Sequence, residues 1–214
     1  MTVADRSGAG TAETPELVFI LERSRELGFL GPGPLEPQIE HARGFASMVE
    51  RTPDSFLDLG SGGGLPGLVL LLDWPECRGV LLDASTRRTE FLREAAERLG
   101  LADRTSVVCD RAEVAARNPE LRGRFDLVVA RSFAPPAVTA ECGAPFLVET
   151  GSMVVSEPPE DSDRWPADGL AQLGLELAAP ASASSRFVRL RRTAVVADRW
   201  PRRTGIPAKR PLWG

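Results

Sequence analysis

Phe56-Leu-Asp-Leu-Gly-Ser-Gly-Gly-Gly-Leu-Pro-Gly67 is the stretch that decides the fold. Four residues of mostly apolar character run into five glycines within eight positions, and the apolar run Leu68 to Leu72 that follows reads as a helix. The order is strand, glycine turn, helix start. Glycine admits positive φ and lets a ligand approach the main chain, while a helix start offers N–H groups that have no intrahelical acceptor. A nucleotide-like cofactor is the expected occupant.

Spacing narrows the choice of cofactor. Asp58, Gly60, Gly62 and Gly64 form an acidic-x-Gly-x-Gly-x-Gly pattern, which resembles the first motif of the S-adenosylmethionine methyltransferases. Gly62, Gly64 and Gly67 also satisfy the dinucleotide fingerprint Gly-x-Gly-x-x-Gly. That second match is weaker, because its first glycine lies two residues past the strand end and Pro66 stands where a pyrophosphate-binding helix should begin. S-adenosylmethionine is therefore preferred over NAD, with a purely structural glycine turn as the remaining alternative.

Length and charge bound the rest. The chain of 214 residues suits one α/β domain with an appendage. No apolar run approaches the ~18 residues of a membrane span and the polar start, Met1 to Thr14, has no signal-peptide core, so a cytoplasmic protein with no membrane partner is expected. Cys77, Cys109 and Cys142 are far apart and odd in number, and His41 is the single histidine. A disulfide framework, a zinc site and a multi-histidine metal centre are all disfavoured, and no metal is expected. The charge is uneven. The net value is −4, yet Arg186 to Gly214 holds nine cations against Asp198, a surplus of eight that leaves the remainder at minus twelve. An acidic body with a polyanion-binding end fits that split; a solvated basic face and tail is the plainer alternative.

Read in order, residues 1 to 14 are small and polar and read as disordered, and helices are expected over Glu16–Leu27 and Ile39–Glu50, separated by the breaker Gly31-Pro-Gly-Pro34. Strands follow at 55–59, Arg78–Asp83, Thr105–Cys109 and Arg124–Arg131, the last apolar enough to be central. Ser85 or Thr86 caps a helix whose stripe is Phe91, Leu92, Ala95 and Leu99. Pro135-Pro136 starts a helix towards Leu147, Gly151–Ser156 is a fifth strand, and Glu157 to Asp163 is an acidic loop. Trp165–Leu173 reads as helix, and Leu175–Leu177 with Phe187–Val196 as a closing hairpin. From Arg199 to Trp213, prolines, glycines and cations predict an extended arm without regular helix, its tryptophans free to stack on RNA.

This pattern also places candidates. Asp83 follows Gly60 by 23 positions, where a carboxylate reaches a ribose diol, or alternatively serves a helix start. Ala112 and Glu113 follow the third strand, where an adenine lies in a doubly wound sheet. Arg131 closes the fourth strand and so points into the cleft or pairs with a carboxylate there.

The chain resembles the bacterial 16S ribosomal RNA guanine-N7 methyltransferases (RsmG, or glucose-inhibited division protein B). The likeness rests on Asp58 to Gly67, Leu81-Leu-Asp-Ala84 with Arg88 and Phe91-Leu92, Arg111-Ala-Glu113, Ala130-Arg-Ser-Phe-Ala134 and the tail Pro201 to Pro211, about residues 39 to 214 in order. It implies a Rossmann-like class I α/β methyltransferase with a mostly parallel central sheet, helices on both faces and a small N-terminal helical cap. The implied division is 1–50 (disordered start and cap), 51–197 (methyltransferase domain) and 198–214 (basic arm). It implies S-adenosylmethionine contacts at Gly60, Leu65, Ala112, Glu113 and Arg131, beside the motif residues Asp58, Gly62, Gly64 and Asp83. Polar positions tied to activity are Asp58, Arg111 and Arg186; with Arg131 and Arg111 expected to orient the guanine or the cofactor carboxylate, Arg131, Arg111 and Arg186 are the catalytic candidates, and His41 matches a histidine of the family's N-terminal helix. The implied substrate is small-subunit ribosomal RNA or an assembling small subunit, at the guanine numbered 527, and a monomer is expected. Glu157-Pro158 stands where the family usually has lysine and glycine, and the N-terminal Trp-Asn and Asn-Leu-Thr patterns of many members are absent. A diverged small-molecule methyltransferase and a non-catalytic RNA- or donor-binding paralogue are the alternatives.

Overall fold

The computed structural model describes residues 14–158, 164–178 and 186–214. The expected disorder of the first residues and most of the acidic loop, 159–163, lie outside the described residues, as does the stretch 179–185 inside the closing hairpin.

Two helices lead, α1 (Pro15–Glu26) and α2 (Leu35–Gly44), the first capped by Thr14, whose hydroxyl accepts the Leu17 N–H at 3.3 Å. The sequence pattern put the second helix at 39–50. It starts earlier because Pro37 falls in the first turn, where a missing N–H costs nothing. It stops at Gly44, where a Cβ would lie 2.5 Å from the Phe187 ring, and a 3-10 turn, Ala46–Met48, takes over.

Then comes the alternation β1 (Ser55–Leu59), α3 (Gly67–Asp73), β2 (Arg78–Asp83), α4 (Thr86–Arg98), β3 (Thr105–Cys109), α5 (Ala112–Ala115), β4 (Phe125–Ala130), α6 (Pro136–Gly143) and β5 (Leu147–Ser156). The chain ends with α7 (Ala167–Gln172), β6 (Leu175–Leu177), β7 (Phe187–Arg192) and the single turn α8 (Ile206–Lys209). Strand order is β3-β2-β1-β4-β5-β7-β6, with β1 to β5 parallel and β7 antiparallel to both of its neighbours. The Rossmann-like α/β class is what the sequence predicted. Strand β5 begins four residues before the expected Gly151: Phe125 pairs with Leu147 but Leu127 with Ser152, so the intervening residues bulge out.

The central strands β1 and β4 are buried on both faces, which is why they read as nearly continuous apolar runs, while the outer strands β3 and β6 are more exposed. Leu57, Leu59, Val128 and Ala130 face α5, α6, α7 and the tail, while Phe56, Leu127, Val129 and Val154 face α1, α3 and α4. The order reverses between β1 and β4, so two adjacent strands send their chains to opposite sides and leave a crevice at their carboxyl ends.

The tail departs most from expectation. Trp200 is 5% exposed and its indole N–H donates to Gln172 O at 3.0 Å, while Trp213 packs on Gly169 and donates to Arg164 O at 3.0 Å. Packing of the Trp200 ring in the core and of one face of the partly buried Trp213 on Gly169 outweighs the extended bias of the prolines.

Candidate functional site

The glycine turn is built to be bare. Gly60, Gly62 and Gly64 have φ of 77°, 54° and 100°, values that an L side chain resists. At Gly60 the lack of a side chain serves packing as well, since a Cβ there would lie 2.6 Å from the Phe133 ring. Gly60 and Ser61 donate their N–H groups to Leu82 O at 2.8 and 3.0 Å, which ties the turn to β2. Ser24 of α1 donates to Gly63 O at 2.9 Å, so the N-terminal helix holds the turn from outside, while Leu65 buries among α1 and α2.

Two carboxylates secure the loop. Asp58 is 1% exposed; its Oδ2 accepts the Gly67 N–H at 3.0 Å and its Oδ1 has no partner. Burial raises its pKa to about 7, helped by Asp83 and opposed by the Gly67 N–H, Ser61 and Arg131. Asp83 accepts from Gly62 N–H at 2.9 Å and Ser85 N–H at 2.9 Å, and Arg88 lies 3.6 Å away. The position predicted for a ribose contact is thus also a loop anchor.

Arg131 leaves the end of β4. Its Nη2 donates to Gln38 of α2 at 3.2 Å, and its Nη1 is buried without a partner. Burial lowers its pKa, and the Asp58 charge acts in the other direction. The next residue, Ser132, has φ 54°, the one positive value outside glycine among the described residues. That turn carries Phe133 and Ala134 across the crevice.

Three cavities meet at this turn. One of about 200 Å³ is floored by Gly60 to Gly63 and bordered by Phe29, Arg88, Arg131 and Ser132. A second, of about 240 Å³, joins Gly60, Asp83, Asp110 to Glu113, Phe133 and Ala208. The third and largest, about 480 Å³, runs from Gln38 and His41 past Arg131 to Ala134 and on to Glu157, Arg164, Trp165 and Arg186. Asp58, Gly60, Gly62, Asp83 and Arg131 are therefore brought together. Arg186 joins Arg131 in the largest cavity, whereas Arg111 lies on the β3 side, 3.5 Å from Glu113, and is not brought to the other two arginines.

The largest cavity is cationic with one tethered acid. Arg164 reaches Glu157 at 2.9 Å and neutralises it. His41 stacks on Phe187 with centroids 4.8 Å apart, and its pKa is lowered by burial, then by Arg131 and Arg186. It is a neutral, flat acceptor. Sequence reasoning missed Gln38, Ser132, Phe133 and Arg164 as site residues. The signal for two of them was present in Ala130-Arg-Ser-Phe-Ala134, but nothing in the chain tied Gln38 or Arg164 to a strand end.

A family model described as rRNA small subunit methyltransferase G matches residues 39–165. The chain belongs to this family. A member from Rubrobacter xylanophilus is 35% identical over 201 residues, covering 85% of this chain and 77% of the relative. One from Prochlorococcus marinus (strain NATL2A) is 35% identical over 166 residues, covering 73% and 67%. Among solved structures, an O-methyltransferase from Bacillus cereus in complex with SAH shares the fold at TM-score 0.60 and 15% identity, covering 86% of this chain and 93% of that one. An O-methyltransferase family protein from Burkholderia thailandensis does so at 0.56 and 15%, covering 86% and 60%.

As a member of the rRNA small subunit methyltransferase G family, the chain is an S-adenosylmethionine-dependent enzyme. Its residues fit that cofactor: a glycine turn at positive φ that lines the cavity with main chain, and two buried polar atoms without a partner, Asp58 Oδ1 and Arg131 Nη1, beside it. Among the described residues no helix is long and apolar enough to cross a membrane, and no three or more His, Cys, Asp or Glu side chains gather as a metal site would need.

Proposed function

We propose that this chain methylates N7 of a guanine in small-subunit ribosomal RNA, the guanine numbered 527 in that RNA. The observation that carries the reading is the β4 turn: Arg131 and Ser132 border both the glycine-floored cavity and the largest one, so a donor in the first faces an acceptor in the second. The family's names support ribosomal RNA as substrate.

S-adenosylmethionine supplies an electrophilic methyl carried on a sulfonium. On the donor side, Gly60 to Gly63 give backbone access, Asp58 and Asp83 hold the loop's shape, and Ala112 with its neighbours walls the cavity beyond β3. On the acceptor side, Arg131 and Arg186 offer cations to a guanine carbonyl and a phosphate, and neutral His41 offers a stacking face beside Phe187. No general base is required. N7 of a neutral guanine carries its own lone pair, so the residues need only hold the ring in line, and orientation supplies the rate. Of the acids, only Glu157 lines the acceptor cavity among the described residues, and Arg164 occupies it. That pairing removes the repulsion a phosphate would meet at Glu157, and with it the main argument for a small-molecule substrate.

The test is methyl transfer from labelled S-adenosylmethionine to naked 16S RNA and to intact small subunits, followed by mass spectrometry of the nucleosides. N7-methylguanine mapped to one position is expected. Transfer to neither substrate, with donor binding intact, would leave the non-catalytic paralogue in its place.

A further inference from the structure

Glu113 sits on α5 beside the cavity past β3, 5% exposed, and its carboxylate is engaged by the tail. Oε1 accepts the Gly205 N–H at 2.8 Å. Burial alone would raise this carboxyl, but the N–H groups and Arg111 outweigh it and hold it below the ordinary value. Three residues beyond Gly205, Ala208 lines the same cavity as Gly60, Asp83 and Ala112. The segment is fixed on both flanks. Arg202 donates its backbone N–H and its guanidinium to Glu141 at 2.8, 2.9 and 2.6 Å, and Trp213 donates to Arg164 O at 3.0 Å. Arg117 also reaches Pro201 O. A tail serving RNA alone would have no use for a buried acid beside the donor cavity.

We propose that the segment from Pro201 to Gly214, latched through Glu113 and Glu141, is one wall of the cavity that takes the adenosine end of the donor, so that donor binding and tail docking favour each other. The inference rests on the donor site described above. It makes the Glu113 side chain a positioning group for the tail, and it makes Ala208, which lies in the tail motif but not among the expected cofactor contacts, a neighbour of the cofactor. Linkage then runs both ways: whatever the donor gains from the docked tail, the docked tail gains from the donor.

The full-length protein carries its own probes, because Arg203 and Lys209 are exposed on the tail and Arg51 is exposed ahead of β1, at the other end of the strands. Limited trypsin digestion is run with and without saturating S-adenosylhomocysteine. Cleavage after Arg203 and Lys209 should slow by about fivefold or more, the lower range of allosteric coupling, while cleavage after Arg51 stays constant. Calorimetry supplies the second reading. Ala208→Phe should bind S-adenosylhomocysteine at least about tenfold more weakly with an unchanged melting midpoint of the free protein. Glu113→Gln, which keeps an oxygen for the Gly205 N–H, should retain more of the affinity than Glu113→Ala. Ligand binding with tail cleavage unaltered, or Ala208→Phe binding as tightly as the parent, overturns the wall and leaves the enzyme assignment standing. A parent chain that takes up no S-adenosylhomocysteine overturns the donor site as well.

Discussion

At Gly60 one hydrogen stands where any other residue would place a carbon 2.6 Å from the Phe133 ring, at a φ of 77°. Gly60→Ala therefore costs about 1–2 kcal/mol in backbone strain and drives Phe133 into the cavities it borders. Affinity for S-adenosylhomocysteine should fall at least about tenfold by calorimetry; equal affinity would mean that the ring yields freely. Asp58 makes a second prediction, about pH. Its carboxyl is raised mainly by burial to about 7 from an ordinary 3.8, and a raised folded value contributes stability that is whole below the unfolded pKa and lost as pH climbs through the folded one. The free protein should weaken between about pH 4 and pH 7 relative to Asp58→Asn, whose amide oxygen still accepts the Gly67 N–H. Denaturant midpoints of the two proteins across that window give the comparison, and parallel curves would place Asp58 in a wetter setting than its 1% exposure implies.

At the scale of elements, the sequence showed what depends on local periodicity and hid what depends on distant partners. The strand at 55–59, the Arg78–Asp83 strand and the amphipathic α4 were legible because apolar residues recur at the period of the element that holds them. The start of β5 was not, since the bulge between Leu147 and Ser152 is dictated by its pairing with β4. Nor was the tail: Pro201, Gly205 and Pro207 all signal irregular chain, and distant partners, Glu141 and Glu113 more than sixty residues upstream among them, say where that chain must go. The sites divide in the same way, with Asp58 and the glycines readable from spacing, and Arg164 and Ala208 visible only once folded. The Arg202–Glu141 contact measures how firmly the tail and α6 are joined. Glu141 is 1% exposed on its side chain and Arg202 24%, so Arg202→Ala strands a buried carboxylate. A loss of about 2–3 kcal/mol in denaturant unfolding is expected, below the usual figure for a fully buried pair because solvent reaches the arginine and its backbone N–H still donates. Adding Glu141→Leu should recover most of it.

Across the whole molecule, the surplus of cations after Arg186 is smaller than it looks in sequence. Arg189 pairs with Glu50, Arg191 with Glu176 and Arg202 with Glu141, and Arg192 donates to Ala194 O and Leu147 O, so these four brace the sheet and tail. Arg186, Arg199, Arg203, Lys209 and Arg210 are exposed and make no ion pair among those of the described residues. Arg186 lies in the acceptor cavity, and Lys209 and Arg210 directly follow Ala208 beside the donor cavity. Three of the five exposed cations are therefore at or next to the cavities, on a chain whose remaining residues carry a net negative charge. RNA affinity should accordingly be steeply salt-dependent, and each phosphate left without its cation should lower the log–log salt slope by about 0.7 to 0.9. Replacing Lys209 and Arg210 together by glutamine should reduce that slope by about 1.4 to 1.8 and weaken binding to all small-subunit RNA fragments alike. Replacing Arg189 and Arg191 should leave the slope where it was, because their charges are already met by Glu50 and Glu176. Filter binding between about 50 and 200 mM salt, the range over which such ionic pairing acts, decides the point: equal slope changes for the two pairs would mean that the basic end acts through its summed charge, and the partition between bracing and RNA-facing cations would fail.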